Sequence, residues 1–285
     1  MPAATTHCDF SKSVYEALPY SARCSVSNLH MFWLGSQGPD LFFFSNAMFF
    51  PGSLKPLGSQ MHKEHIRETV KFLLDYSKGN PDLESYVSGY LTHYALDSTM
   101  HPIIYWASAN ESRKNGTSEI EEHFRIEAEL DVWMLNRQKK GYTVDKDLLI
   151  TREDAKLLSQ MYHALFLNIY GRNIPASKIS RTCFQTAWIT GFLDGGKRKY
   201  SFLEKFETIA RMDHLITGMM LYGKTGTNLP IANEEKQPVE IFGRTETYSM
   251  EELFDRARRL AVKLITDPQP EDFCRTFDGE EIKKS

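Results

Sequence analysis

The sequence predicts an all-α protein, a single multi-helix bundle. Three observations lead there. Apolar residues recur at three- and four-residue spacing through most of the chain, the period of a helix with one buried stripe. Glycine and proline fall between these stretches rather than within alternating apolar and polar runs. Two stretches open with helix-start chemistry: Thr151 before Glu153 and Asp154, and Ser249 before Glu251 and Glu252.

Taken in order, residues 11–18 form a short amphipathic helix stopped by Pro19, and 28–34 form another that ends at Gly35. Residues 35–40, Gly-Ser-Gln-Gly-Pro-Asp, read as a loop. Residues 42–50 are densely aromatic and fit either a strand or a buried helix. Residues 59–77 carry Met61, Ile66, Val70, Leu73 and Leu74 on one helical face and close at Gly79 and Pro81. Helices follow at 82–101, halted by Pro102, and at 117–138, 151–170, 179–193, 201–222 and 249–265. Residues 222–248 are turn-rich and expected to be irregular. No repeat and no long linker divides the chain, so residues 1–265 are expected to form one helical domain, with 266–285 a polar, mobile C-terminal tail.

Composition narrows the function. The chain has 285 residues, 41% hydrophobic, 12% aromatic and 25% charged, an ordinary globular balance that excludes disorder as the main state. The net charge of −3 argues against a stable nucleic-acid partner, which would call for a basic excess. No stretch reaches the ~20 apolar residues of a transmembrane helix. The first ten residues lack the basic-then-apolar order of a secretory signal, which suits a cytoplasmic protein. Cys8, Cys24, Cys183 and Cys274 are widely spaced and read as reduced thiols.

The chemistry concentrates around residue 97. His93, Asp97 and His101 stand four apart. Each such step turns a helix by about 400°, so successive members lie ~40° apart on one face and can converge on one ion. On the next helix His123 and Glu127 repeat the spacing beside Phe124, Ile126, Leu130 and Trp133. A histidine and a carboxylate one turn apart on core-facing helices is how helical bundles build metal sites. Imidazole nitrogen with carboxylate oxygen suits zinc better than calcium or magnesium. One His-x-x-x-Asp pair alone is usually a surface pair or a satisfied core histidine; two pairs with a third histidine in register are the reason to infer a metal. Glu121, Glu122 and Glu129 read as solvated charges, and His65, His163 and His214 as structural or surface groups.

Further elements extend this pattern: Thr6-His7 near the N-terminus, Gly35-Ser36-Gln37-Gly38-Pro39-Asp40, Met61-His62, His93-Tyr94-Ala95-Leu96-Asp97, His101-Pro102, and His123 to Glu127. In this order they resemble the zinc-dependent phospholipase C family, in the same superfamily as the fungal single-strand nucleases. The resemblance covers roughly residues 1–265 and is most like the intracellular-type bacterial members. It implies the helical phospholipase C-like architecture, with two or three Zn²⁺ in the helix core. By that resemblance His7 binds one ion, and Asp40, His62 and His93 gather round another. Asp97 bridges two of the ions, and His101, His123 and Glu127 hold the third. Asp40 is also implied as a catalytic general base.

The sequence departs from the secreted members at three places. They complete one zinc with a mature N-terminal tryptophan, where this chain begins Met1-Pro2; either the amine of Pro2 serves or that site is altered. The gap from Asp97 to His101 is shorter than theirs. The segment from Asp40 to His62 is longer and carries Phe42, Phe43, Phe44, Phe49 and Phe50, which read as core packing or as a wall of a substrate cleft. Tyr94, Tyr105 and Trp106 leave the same choice open.

The expected activity is zinc-dependent hydrolysis of phosphodiester bonds, with metal-activated hydroxide attacking phosphorus in a small phosphoester or phospholipid head group. The chain has no Gly-x-Ser-x-Gly nucleophile turn and no Gly-x-x-x-x-Gly-Lys phosphate loop. The alternatives are a metal-stabilised helical scaffold without activity, or an intracellular nuclease or phosphomonoesterase. An HD-type phosphohydrolase would need an adjacent His-Asp pair, and only Asp213-His214 occurs, in reverse order.

Overall fold

The computed structural model describes residues 3–47, 51–138, 142–212, 214–227, 229–241 and 244–282. Its regular structure consists of twelve α-helices and one short hairpin among the described residues. The helices are α1 (Ala4–Ala17), α2 (Tyr20–Ser25), α3 (Leu29–Gly35), α4 (Lys55–Lys63), α5 (Ile66–Ser77) and α6 (Pro81–Asn115), then α7 (Glu119–Arg137), α8 (Arg152–Asn168), α9 (Ala176–Leu193), α10 (Lys197–Ala210), α11 (Leu215–Met219) and α12 (Met250–Thr266). Strands β1 (Val239–Ile241) and β2 (Arg244–Glu246) pair antiparallel, Val239 opposite Glu246. The all-α expectation holds.

The arrangement is organised by α6, against which α3, α12, α7, α1, α5 and α8 pack. Asn80 starts it, its side-chain oxygen accepting the Leu83 N–H, with Pro81 in the first turn; Gly116, at φ 67°, ends it. Every residue from Gly89 to His101 is buried, so this part of α6 is a core helix surrounded on all sides. Close crossing with α3 is possible because Gly35 meets Gly89: a Cβ on Gly35 would lie 2.1 Å from the Tyr86 carbonyl oxygen, and one on Gly89 2.1 Å from that of Phe32. The crossing fixes the chain that leaves α3, residues 36–40, against the middle of α6.

Four local expectations are corrected. Helix α6 does not stop at Pro102 but continues to Asn115, because Ile103, Ile104, Ala107 and Ser108 carry its buried face past the proline, against the ~3 kcal/mol a proline costs inside a helix. The stretch 59–77 is two helices, α4 and α5, broken where Glu64 is extended and His65 is left-handed at φ 55°. Helix α1 begins seven residues earlier than expected, at Ala4 rather than residue 11. Its free N–H groups are satisfied from elsewhere: Asp131 accepts from the Thr6 N–H at 2.8 Å, the Thr6 hydroxyl at 2.7 Å and the Thr5 N–H at 3.4 Å. The stretch 201–222 divides into α10 and α11 around the left-handed residues Arg211 and His214.

Helices α8 and α12 open with the expected capping boxes, Thr151 with Asp154 and Ser249 with Glu252. The aromatic run is helical turn rather than strand as far as residue 47; Phe49 and Phe50 lie outside the described residues. Phe42 and Phe44 are buried, and Phe42 packs edge-on to Tyr162 and Phe166. Tyr86 and Tyr162 share a hydrogen bond of 2.8 Å inside the same core. The segment read as a mobile tail folds back: Phe273 and Phe277 are buried, and Ile282 N–H donates to the Cys274 carbonyl. Cys8 and Cys183 are buried, Cys24 and Cys274 exposed, and all four are free thiols. Among the described residues no helix is long and apolar enough to cross a membrane.

Candidate metal centre

The centre is built outward from α6. His93 and Asp97 lie one turn apart on its buried stretch, and His93 Nε2 is 2.9 Å from Asp97 Oδ2. Asp97 Oδ1 faces the other way, 3.2 Å from His7 Nε2 and 3.6 Å from His101 Nε2. One carboxylate thus stands among three histidines from two helices.

Three separate elements complete the inner side. His7 comes from the second turn of α1, and its ring stacks on His93 at 4.1 Å between centroids. Asp40 sits in the tight turn after α3, and His62 in the last turn of α4 brings Nε2 to 3.1 Å from Asp40 Oδ1 and 3.8 Å from Asp97 Oδ2. His7, Asp40 and His93 can each present one donor atom within 4.8 Å of the others, and so can His62, His93 and Asp97.

Backbone carbonyls set the ring orientations. His93 Nδ1 lies 2.9 Å from the Ser36 carbonyl and His62 Nδ1 2.7 Å from that of Gly58, so each Nδ1–H donates outward and each Nε2 is turned toward the cluster. Gly38 makes room for this: at φ +51° it is left-handed, and a Cβ there would lie 2.3 Å from the His93 ring.

The outer side combines α6 and α7. His101, His123 and Glu127 form a third donor group within 4.8 Å, with Glu127 Oε1 3.2 Å from His123 Nε2 and 3.6 Å from His101 Nε2. Ser118 caps α7 through the Glu121 N–H, which fixes the phase at which this pair faces α6. All eight residues singled out in the sequence, His7, Asp40, His62, His93, Asp97, His101, His123 and Glu127, therefore meet in one connected cluster. Met1 and Pro2, and with them the N-terminal amine, lie outside the described residues.

The cluster carries polar atoms that protein groups do not satisfy. His93 Nε2 and Asp97 Oδ2 are buried without a hydrogen-bond partner despite their closeness; with the ring proton on Nδ1, both can only accept. Burial holds the His93 imidazole below its ordinary pKa, which keeps it neutral and its lone pair available. Burial opposes ionisation of Asp97, but His101, His93 and His7 outweigh it and hold the carboxyl well below the usual range. Glu127 is likewise held low against burial by His123 and His101. Asp40 is held low against burial by its hydrogen bond and charge contact with His62. His62 and His101, by contrast, are lifted against burial by the carboxylates they face, so a zinc ion would displace protons there; imidazole nitrogens and ionised carboxylates converging in a dry site are the donor set zinc requires.

Residues that the sequence did not single out also reach the centre. Phe277, from the C-terminal segment, packs its ring against His62, His93, Tyr90 and Tyr94, and its N–H donates to the His62 carbonyl at 3.0 Å. Asp278 places Oδ1 3.5 Å from His101 Nδ1 and accepts the Tyr105 hydroxyl at 2.8 Å. No local spacing announces these two, since their partners lie over a hundred positions earlier. Of the aromatics left open, Phe43 and Tyr105 line a cleft and Tyr94 is core, its hydroxyl bonded to the Arg275 carbonyl. The cleft, about 420 Å³, opens directly on Asp40, His62, His101 and His123.

The family model for zinc dependent phospholipase C matches residues 6–183, more than half of the chain and all eight of these residues. The chain belongs to the zinc-dependent phospholipase C family. Family membership and the donor clusters together identify a metal-binding protein of a zinc-dependent, hydrolytic type. Comparison with curated proteins and with solved structures finds no match.

Proposed function

We propose that the protein hydrolyses phosphodiester bonds with two or three zinc ions held by His7, Asp40, His62, His93, Asp97, His101, His123 and Glu127. The observation that carries this reading is the junction at Asp97: three donor groups meet around one carboxylate and open on a single cleft. Zinc in such a site lowers the pKa of water from 15.7 toward about 7 and offsets charge on phosphoryl oxygens. Asp97 turns Oδ1 toward His7 and His101 and Oδ2 toward His93, which suits a carboxylate shared between two metal positions. Asp40 is ionised and at the cleft surface, which suits a base that takes a proton from the attacking water. Phe43, Ile120 and Phe124 give the cleft an apolar wall for the alcohol or acyl part of a phospholipid-type substrate, and Lys63 at its edge favours an anion.

The test is metal removal and return. Chelator-stripped protein should be inactive on bis-p-nitrophenyl phosphate and on short-chain phosphatidylcholine, and zinc should restore turnover. If zinc restores only the melting temperature, with no substrate cleaved, the metal is structural and the proposal fails. Preferential cleavage of single-stranded DNA or of p-nitrophenyl phosphate would reassign the substrate class to a nuclease or a phosphomonoesterase.

A further inference from the structure

The C-terminal segment is built to reach the outer donor group. Residues 275–281 form a tight hairpin, with Arg275 bridged to Glu281 and the Thr276 N–H donating to the Glu280 carbonyl at 2.9 Å. The hairpin is anchored on three sides. The Tyr94 hydroxyl donates to the Arg275 carbonyl, the Phe277 N–H bonds the His62 carbonyl, and Arg67 Nε donates to the Phe273 carbonyl at 3.0 Å. Its tip lies over Pro102, where α6 lacks an N–H for the Ser98 carbonyl; a side chain at Gly279 would strike the Pro102 ring and that carbonyl oxygen.

This anchoring presents Asp278 to the far edge of His101. The two ring nitrogens of His101 then face different partners: Nε2 points toward Asp97 and Glu127, and Nδ1 toward Asp278. His101 Nδ1 is buried and has no hydrogen-bond partner of its own. His93 and His62 orient their rings through backbone carbonyls, whereas His101 Nδ1 makes no such bond. Asp278 fills that place at 3.5 Å, held by the Tyr105 hydroxyl.

We infer that Asp278 is a positioning residue for the outer metal site, accepting the His101 Nδ1 proton and so directing Nε2 at the ion shared with His123 and Glu127. The inference rests on the metal-centre reading and extends it to a residue far outside the matched region 6–183. The physical basis is general. A metal on one imidazole nitrogen makes the opposite N–H more acidic, so a carboxylate there gains a stronger hydrogen bond and fixes both tautomer and ring direction. Tyr105 contributes by holding the carboxylate oxygen that faces His101.

The experiment compares Asp278→Asn, Tyr105→Phe and Glu280→Gln with the wild-type chain. Zinc content is measured by elemental analysis across a series of buffered free-zinc concentrations, and the visible spectrum of the cobalt-substituted protein is recorded. Asp278→Asn should bind one ion per chain about 10- to 100-fold more weakly, with the remaining ions unchanged and one cobalt band altered. Tyr105→Phe should weaken the same ion by less, and Glu280→Gln, an exposed carboxylate in the same hairpin, should match wild type. Tyr105→Phe keeps the test open should Asp278→Asn not fold. A wild-type chain that loads zinc alongside an Asp278→Asn variant with the same affinities and cobalt spectrum overturns this inference alone. A wild-type chain that takes up no zinc overturns the metal-centre reading beneath it.

Discussion

His93 Nε2 and Asp97 Oδ2 lie 2.9 Å apart on successive turns of α6, buried, and neither makes a hydrogen bond. Leaving such atoms unpaired costs about 1–3 kcal/mol each, more for a charged group, and a cation between them removes the penalty. Asp97→Asn should therefore lower zinc affinity by more than the ten- to hundredfold typical of an outer-shell change. Elemental analysis should show fewer ions per chain, with Asp255→Asn on α12 as the control; equal zinc in both variants would refute the central role of Asp97. Asp131, which lies outside the donor cluster, is unsuited as that control because it holds the start of α1.

Asp131 gives its own prediction. It is buried, and burial pushes its pKa up to about 6 while Thr5 and Thr6 donate to it. Asp131→Ala would strand these donors near His7. A loss of about 1–3 kcal/mol is expected, read as a melting temperature lower by about 3–10 °C. Zinc bound through His7 should weaken before that bound through His123. Unchanged melting in the metal-free protein would show that α1 is held by other contacts.

Gly38 should tolerate no side chain. Gly38→Ala forces a left-handed alanine, about 1–2 kcal/mol, and sets its Cβ against the His93 ring. Both melting temperature and zinc content should fall, whereas Gly171→Ala, also left-handed but with open space, should lower melting alone. Full zinc loading of Gly38→Ala would mean the ring direction is not set by this turn.

The metal-free protein should lose stability as pH rises. Burial opposes charging of His101, yet Asp97, Asp278 and Glu127 together lift its pKa well above the ordinary imidazole value. A raised histidine stabilises the folded state fully below the unfolded pKa of about 6.5, and that contribution disappears as pH climbs through the folded value. Calorimetry in chelator should record a melting temperature that declines from about pH 6 upward, less steeply in Asp97→Asn. Zinc binding consumes the lone pair that the proton would occupy, so added zinc should reverse the slope.

The part of the centre carried by regular helix was legible from spacing alone. His93, Asp97, His101, His123 and Glu127 lie at four-residue intervals, and a helix converts that interval into one face. His7, Asp40 and His62 have no such local signature, since α1, the turn after α3 and α4 meet only in the folded chain; resemblance to a family located them. Pro102 misled because its local effect is to end helices, while burial around α6 is a property of the whole packing. Asp278 was invisible for the same reason: a polar hairpin near the C-terminus reads as a tail until Phe277 is seen inserted among the imidazoles.

The centre draws on segments about 270 positions apart in the sequence, with His7 on one side and the Phe277–Asp278 hairpin on the other. During synthesis, residues 62 to 127 leave the ribosome and can collapse long before position 278 exists. A nascent chain thus holds an unfinished pocket until the hairpin side chains have emerged and docked.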